Sequence, residues 1–122
     1  MEVPAPEHPL EPIVLDGSNI VHRHGVRAGG LAHLEALHDA LVAADWTPWV
    51  VVDASLRHRL APEEQEALEQ RLMDGWHQVP KGHDADVEVL RAAERLDAVV
   101  VSADRFRDHP RPPRRRIDPG DF

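Results

Sequence analysis

The segment IVLDGSNIVH, residues 13–22, carries the pattern that decides the fold. Three consecutive apolar residues end directly on Asp16, and the turn-forming residues Gly17, Ser18 and Asn19 follow. A short apolar run bounded by such residues predicts a buried strand. The carboxylate at its end has two interpretations, since Asp16 is either a turn or helix-capping residue or a ligand of a metal site.

Apolar strands and helical periodicities alternate along the rest of the chain. The predicted elements after the first strand are a helix over residues 31–41, a strand over 49–52, a helix that begins at Pro62, a short strand over 76–79, a helix over 87–96 and a strand over 98–101. Continuous apolar strands are typical of parallel sheets that are covered on both faces. The pattern therefore predicts an α/β fold with a mainly parallel sheet of four to five strands and helices on both sides.

Proline is concentrated at the two ends of the chain. Eight of the eleven prolines lie in residues 1–12 and 110–122. Because proline fixes φ and lacks a backbone donor, we expect both ends to be extended or mobile. The predicted organisation is a proline-rich tail over residues 1–12, a domain over residues 13–109 and a basic tail rich in proline and arginine over residues 110–122.

Composition narrows the class of protein. The 122 residues carry a net charge of −8, which argues against the binding of nucleic acid through one broad basic surface. There is no cysteine, so disulfides, thiolate metal sites and a cysteine nucleophile are excluded. No apolar run approaches the ~20 residues of a membrane helix, and the first residues do not resemble a secretory signal. We therefore expect a cytoplasmic protein without a membrane segment.

Acidic residues follow most of the predicted strands, at the edge where parallel sheets bind ligands. The first strand ends at Asp16, and the last runs towards Asp104. The same edge is expected to hold the remaining candidates, Asp53, Asp84, Asp86 and Asp108. Because converging carboxylates raise one another's pKa, a divalent cation would relieve their repulsion. An all-oxygen set without cysteine favours Mg²⁺ or Mn²⁺ over Zn²⁺.

Most of these acids also have a structural interpretation. Asp84 is a candidate N-cap for its helix, and Asp86 in the first turn is placed to complement the helix dipole. Asp53 is a candidate cap for the segment that follows it. Asp104 and Asp108 are placed to pair with neighbouring arginines. The joint position of the acids at one edge of the sheet shifts the balance towards a metal or phosphate site.

Two segments together resemble a known family. They are VLDGSNIVH, residues 14–22, and DADVEVLRAAERLDAVVVSADRFRDH, residues 84–109. The pattern resembles the NYN branch of the PIN-like nucleases, in particular the regnase-type endoribonucleases. The resemblance implies a three-layer α/β/α PIN-like (Rossmannoid) fold. It also implies Mg²⁺- or Mn²⁺-dependent cleavage of single-stranded RNA by a metal-activated water.

The family's functional residues carry over onto the matching positions of this chain. By resemblance, the metal ligands are Asp16, Asp86, Asp104 and Asp108. Asn19 then orients the substrate or a water, and Ser102 supports the ligands by hydrogen bonding. The candidate substrate-binding residues are Ser18, Arg57, Ser102, Arg105 and Arg107; among these, Arg57 is proposed from its position after the second strand, and a solvated surface residue is its alternative. We interpret the three tryptophans as core or interface residues, with stacking on RNA bases as the alternative.

Several alternatives stay open. The regnase-type pattern usually has two adjacent acids where this chain has Ala85 and Asp86, which favours a non-catalytic PIN-like module that binds RNA or a protein partner. A receiver-like phosphoacceptor domain is less favoured, since the only lysine, Lys81, does not follow a late strand. A haloacid-dehalogenase-type phosphatase would need an aspartate at position 18, where a serine stands. A homodimer is a further open alternative.

Overall fold

The predicted strands and helices occur in the predicted order, and the structure adds helices at Gly17–His24 and Leu56–Arg59 and a strand at Arg116–Ile117 that the sequence did not predict. The computed structural model describes residues 1–122. The strands are β1 (Glu11–Asp16), β2 (Trp46–Val52), β3 (His77–Gln78), β4 (Val99–Val101) and β5 (Arg116–Ile117). The helices are α1 (Gly17–His24), α2 (Gly30–Ala43), α3 (Leu56–Arg59), α4 (Pro62–Met73) and α5 (Ala85–Leu96), followed by a short 3₁₀ helix at Pro119–Asp121. Pro62 opens α4, at a position where a helix does not need the missing N–H.

The five strands form one sheet in the order β3-β2-β1-β4-β5, and every neighbouring pair is parallel. β1 lies at the centre, where its whole length pairs with β2. On its other side, Ile13 pairs with Val99 and Leu15 pairs with Val101 of β4. Asp16 therefore lies at the middle of the carboxyl edge of the sheet. The predicted α/β fold with a central parallel sheet is confirmed.

Alternate side chains of the strands enter two separate cores, one on each face of the sheet. Ile13 and Leu15 of β1 pack in the core that contains the leucines of α2, whereas Val14 packs in the core that contains Val89 of α5. This period of two buries the strands on both faces. Three layers result, with α5 on one face and α1, α2 and α4 on the other. The predicted three-layer α/β/α architecture is confirmed.

β1 passes directly into α1 without a loop, and this junction requires glycine. An added Cβ on Gly17 would lie 2.8 Å from the carbonyl oxygen of Val51 and 2.9 Å from the Cγ1 atom of Val52. Only a residue without a side chain allows α1 to begin this close to β2. The junction fixes the first turn of α1, and with it Asn19, beside the end of the central strand.

Both ends of the chain pack on the domain, which differs from the predicted mobile tails. At the amino end, Nε1 of Trp46 donates to the carbonyl oxygen of Pro4 at 2.7 Å, and Val3 contacts the core. At the carboxyl end, β5 extends the sheet, and the N–H of Ser102 donates to the carbonyl oxygen of Ile117 at 3.1 Å. A high proline content does not exclude a strand when the prolines lie on either side of it. The prolines flank β5, so the backbone N–H groups of that strand remain able to form hydrogen bonds.

The helices are short for a membrane crossing. The longest, α2, has 14 residues, whereas a span needs roughly 20. None of the helices combines the length and the apolar character that a crossing requires. The cytoplasmic location stays a prediction.

Candidate active site

Three of the predicted ligands meet at the carboxyl edge of the sheet. Asp16 ends β1, Asp104 lies in the loop after β4, and Asp86 stands in the first turn of α5. Strand periodicity directs Asp16 to the face that α5 covers, because Val14, two residues earlier, points there. Asp86 and Asp104 both raise the pKa of Asp16, and Asp104 raises the pKa of Asp86. The three negative charges therefore lie close enough to repel one another.

Asp16 is a strongly perturbed carboxyl group. The residue is buried, with 3% of its surface exposed. Burial is the main cause that raises its pKa from 3.8 to about 7, and the charges of Asp86 and Asp104 raise the pKa further. A hydrogen bond from Ser102 and the nearby N–H of Asn19 act in the opposite direction. Without a cation, Asp16 is thus close to half protonated near neutral pH.

Ser102 links the ends of β1 and β4. Its hydroxyl donates to Oδ2 of Asp16 at 2.7 Å and accepts the N–H of Asp104 at 3.0 Å. Ser102 is fully buried, so water does not compete for these bonds. Asn19 makes a second link, since its Oδ1 accepts the N–H of Ala103 at 2.9 Å. These bonds hold Asp16 and Asp104 in a fixed relation, while the role of Asn19 towards substrate stays a prediction.

A strained turn orients Asp104. Its Oδ1 accepts the N–H of Phe106 at 2.7 Å. Phe106 has a φ of 55°, in the left-handed region that is unfavourable for an aromatic residue. The residue is nevertheless 1% exposed, because its ring fills the core on the α5 face. Burial of the ring offsets the strain and fixes the direction of the Asp104 carboxylate.

Asp86 approaches the site from α5. Its pKa is raised by burial, by Asp104 and by Asp84. His109 lowers it, since Nε2 of His109 lies 3.7 Å from Oδ2 of Asp86. Asp84 accepts the N–H of Asp86 at 2.9 Å, so its interpretation as the N-cap of α5 is confirmed.

The donor set suits a hard divalent cation. Asp16, Asp86 and Asp104 offer only carboxylate oxygens, and no lysine or arginine forms an ion pair with any of them. The raised pKa of Asp16, to which Asp86 and Asp104 contribute, and the raised pKa of Asp86, to which Asp104 contributes, indicate uncompensated negative charge. As the side chains stand, no three acidic or histidine residues lie close enough together to hold a metal ion. Mg²⁺ does not require three such ligands, because it usually keeps several waters beside one or two carboxylates.

The comparison with protein families agrees with this geometry. Residues 9–117 match the Zc3h12a-like ribonuclease NYN domain. The chain belongs to this family. The matched range includes all five strands and the three converging acids, and it confirms the resemblance to the NYN branch of the PIN-like nucleases.

Solved structures support the same fold. This NYN domain is similar to the Arabidopsis thaliana nuclear protein-only RNase P 2 (PRORP2), with a TM-score of 0.65 and 25% sequence identity. The alignment covers 84% of this chain and 23% of the plant protein, so the chain spans less than a quarter of that protein's length. Among curated proteins, none matches. The PIN-like fold is thereby confirmed, and the homodimer stays a prediction.

The fourth predicted ligand lies at the surface of the NYN domain. Asp108 is exposed and lines an open depression together with Asp104, Arg105 and Arg107. Its charge is not among the causes that raise the pKa of Asp16 or of Asp86. Its role as a ligand, and the substrate contacts of the two arginines, stay predictions.

Two further predicted residues make contacts within the NYN domain. Arg57 pairs with Glu69 of α4, which directs its guanidinium to a neighbouring helix. Ser18 is buried, and its Oγ accepts the N–H of Asp53 at 2.8 Å. Asp53 itself accepts the N–H of Leu56 at 2.8 Å, as expected for a cap of the segment that follows. The roles of Arg57 and Ser18 in substrate binding stay predictions.

Two residues near the site were not predicted as functional from the sequence. The only indication of His109 in the sequence was its position directly after Asp108, at the end of the segment 84–109 that resembles the family. Arg116 of β5 donates through a terminal nitrogen to the carbonyl oxygen of Ser102 at 2.7 Å. It had no signal in the sequence, because its segment was predicted to be a tail and only the pairing of β5 with β4 brings it to the site.

Proposed function

We propose that this NYN domain is an endoribonuclease that cleaves single-stranded RNA with Mg²⁺ or Mn²⁺. The observation that carries the proposal is the convergence of Asp16, Asp86 and Asp104 without a lysine or arginine partner. The family match to a ribonuclease domain supports RNA as the substrate. The likeness to PRORP2, whose name describes a protein-only RNase P, supports it as well.

The three converging acids are the residues that would hold the ion, with Asp108 as an additional candidate. When bound, the ion supplies positive charge that keeps the carboxylates ionised, orders water and stabilises negative charge on a phosphoryl oxygen. Ser102 holds the carboxylate of Asp16 in one orientation through its 2.7 Å bond. The bond from Phe106 does the same for Asp104. The protein thus presents preorganised oxygens, so little reorganisation is needed when substrate arrives.

Two arginines beside the acids are available for RNA phosphates. Arg105 and Arg107 are exposed and line the same depression as Asp104. Neither forms an ion pair with a carboxylate of the protein. Free guanidinium groups bind phosphate through charge-assisted hydrogen bonds. They provide local positive charge where a polyanion must approach a chain whose net charge is −8.

Cleavage of a 5′-labelled, unstructured RNA tests the proposal. We expect the wild type to cut it with Mn²⁺ and to be inactive with EDTA. Asp104→Asn keeps an oxygen that accepts the N–H of Phe106 but removes the charge. We expect its rate to fall by at least about 100-fold, since even supporting residues of metal sites contribute roughly 10- to 100-fold.

Asp45→Asn is the matched control for that experiment. Asp45 is exposed, precedes β2 at the opposite edge of the sheet and has a φ of 75°, a conformation that asparagine tolerates. We expect this variant to cleave like the wild type. Full activity of Asp104→Asn, or no cleavage by the wild type with either metal, contradicts the proposal.

A non-catalytic module that binds RNA or a protein partner is the second candidate, and one observation favours it. Ala85 occupies the position of the second acid in the family pattern, and its side chain packs against the core on the α5 face. Asp84 does not replace that acid, because it caps α5. Binding of Mn²⁺ and RNA without turnover would identify this second function.

A further inference from the structure

A groove beside α5 lies outside the site described above. It has a volume of about 500 Å³ and runs between α5 and the neighbouring strands β2 and β3. The strands contribute Trp49 and His77, and the helix contributes Glu88, Arg91 and Arg95. The groove therefore combines aromatic rings with positive charge.

Strand periodicity places the groove and the three acids on the same face of the sheet. Trp49 and Val51 of β2 point to the core on the α5 face. His77 is the register partner of Val51 and points the same way. Asp16 shares that face, and β1 lies two strands from β3, about 10 Å away. Pro80, past the end of β3, continues the groove to the edge that carries the acids.

Trp49 is in contact with an imidazole and a guanidinium. His77 stacks on the indole with 3.8 Å between ring centroids and 16° between planes. The Cζ atom of Arg95 lies 4.8 Å from the centroid of the same indole. Both His77 and Arg95 are exposed, whereas Trp49 is half-buried. The stack therefore presents an imidazole and a guanidinium to the solvent, on a rigid aromatic base.

The charges of the groove suit a polyanion. Arg91 pairs with Glu88 at 3.2 Å, whereas Arg95 has no carboxylate partner. Burial, and secondly the charge of Arg95, lower the pKa of His77, so its ring is uncharged at neutral pH. A neutral ring beside a free guanidinium matches a nucleobase with its phosphate, since bases stack on aromatic side chains and arginine binds the backbone.

We propose that this groove binds a nucleobase and the adjoining phosphate of single-stranded RNA, beside the site of cleavage. The inference rests on the proposed function, because it names a second contact of the same RNA. The base stacks on the exposed imidazole of His77, and Arg95 binds the phosphate. An RNA strand held at the three acids reaches the groove along one face of the sheet.

Binding without cleavage tests the groove directly. The probe is a fluorescein-labelled oligouridylate, and the fluorescence anisotropy of the probe is measured with the full chain in EDTA. We expect His77→Ala and Arg95→Gln each to weaken binding by roughly 5- to 100-fold, the range for loss of one base contact. His77→Phe keeps a stacking ring and is expected to keep most of the affinity.

The matched control variants remove an imidazole or a guanidinium at positions outside the groove. His8→Ala removes an exposed imidazole near the amino end, and Arg23→Gln removes an exposed guanidinium from α1, on the other face of the sheet. We expect both to bind like the wild type. If the controls lose as much affinity as the groove variants, binding is not localised to the groove and the proposal is overturned.

A cleavage assay with Mn²⁺ separates this proposal from the proposed function. If the wild type cleaves RNA while His77→Ala and Arg95→Gln keep its affinity and its KM, the groove proposal fails and the function stands. If the wild type binds through the groove but never cleaves, the function fails and the groove stands. If the wild type does not bind the probe, the groove proposal fails as well.

Discussion

Replacing Asp16 with asparagine is expected to stabilise the metal-free protein at alkaline pH. Burial is the main cause that raises the pKa of Asp16 from 3.8 to about 7 in the folded protein. Folding therefore favours the protonated form. The contribution of this group to stability is fully present below about pH 4 and is lost as the pH rises through 7. The difference of about three pH units, at roughly 1.4 kcal/mol per unit, amounts to about 4 kcal/mol.

Asparagine removes the charge and keeps the shape of the side chain. Its Oδ1 can still accept the hydroxyl of Ser102, which lies 2.7 Å from the carboxylate. Its amide nitrogen can donate to the neighbouring carboxylates of Asp86 and Asp104. We expect the free energy of unfolding of Asp16→Asn to exceed that of the wild type by about 4 kcal/mol at pH 8. The difference is expected to shrink to less than about 2 kcal/mol at pH 5.

Urea denaturation in EDTA at several values between pH 5 and pH 8 measures this difference. His33 and His77 act in the opposite sense, because burial lowers their pKa and their contribution to stability grows as the pH rises towards 6.5. Both proteins carry these histidines, so comparison at each pH cancels their effect. Mn²⁺ is expected to stabilise the wild type more than Asp16→Asn. Equal stabilities at pH 8 would refute the reasoning that Asp16 is a buried, uncompensated charge.

Three further outcomes are expected from single substitutions. Gly17→Ala places a Cβ 2.8 Å from the carbonyl oxygen of Val51. Urea denaturation should show that the free energy of unfolding falls by about 1–3 kcal/mol, and an unchanged value would argue against the tight junction. Arg116→Gln removes the 2.7 Å hydrogen bond to the carbonyl oxygen of Ser102. We expect RNA cleavage to be roughly 10-fold slower while the melting temperature changes little. Cleavage at the wild-type rate would rule out a positioning role for Arg116. Arg71→Ala removes ion pairs to two carboxylates of α2, and the free energy of unfolding should fall by about 1–3 kcal/mol, unless these pairs are fully screened by solvent.

Most of the fold could be predicted because three strands are buried on both faces. β1, β2 and β4 contain runs of valine, leucine and isoleucine that no water-exposed element would carry. The two-residue strands are too short to show a run of apolar residues in the sequence. β3 was predicted only because Trp76 and Val79 flank its exposed residues. β5 was not predicted, because its two residues are half-buried and prolines stand on both sides.

The candidate site could be predicted in part for a similar reason. Asp16, Asp86 and Asp104 follow from topology, since the ends of parallel strands and the start of the next helix share one edge. The partner of a long surface side chain does not follow from topology. The ion pair of Arg57 with Glu69 of α4 is one such contact. Such contacts depend on how separate elements pack, and no local pattern records them.

Two features of the site are energetically unfavourable, and contacts with the rest of the fold compensate for them. Asp16 is a carboxylate in a buried position, and Phe106 has a left-handed backbone. Burial of the ring offsets the strain at Phe106, whereas Asp16 is held by Ser102, which β5 supports through its N–H to Ile117 and its carbonyl oxygen to Arg116. The segment that looked like a tail therefore supports the three acids. Strain and repulsion gathered at one edge are typical of a functional site, and a cation is the one ligand that would relieve the repulsion directly.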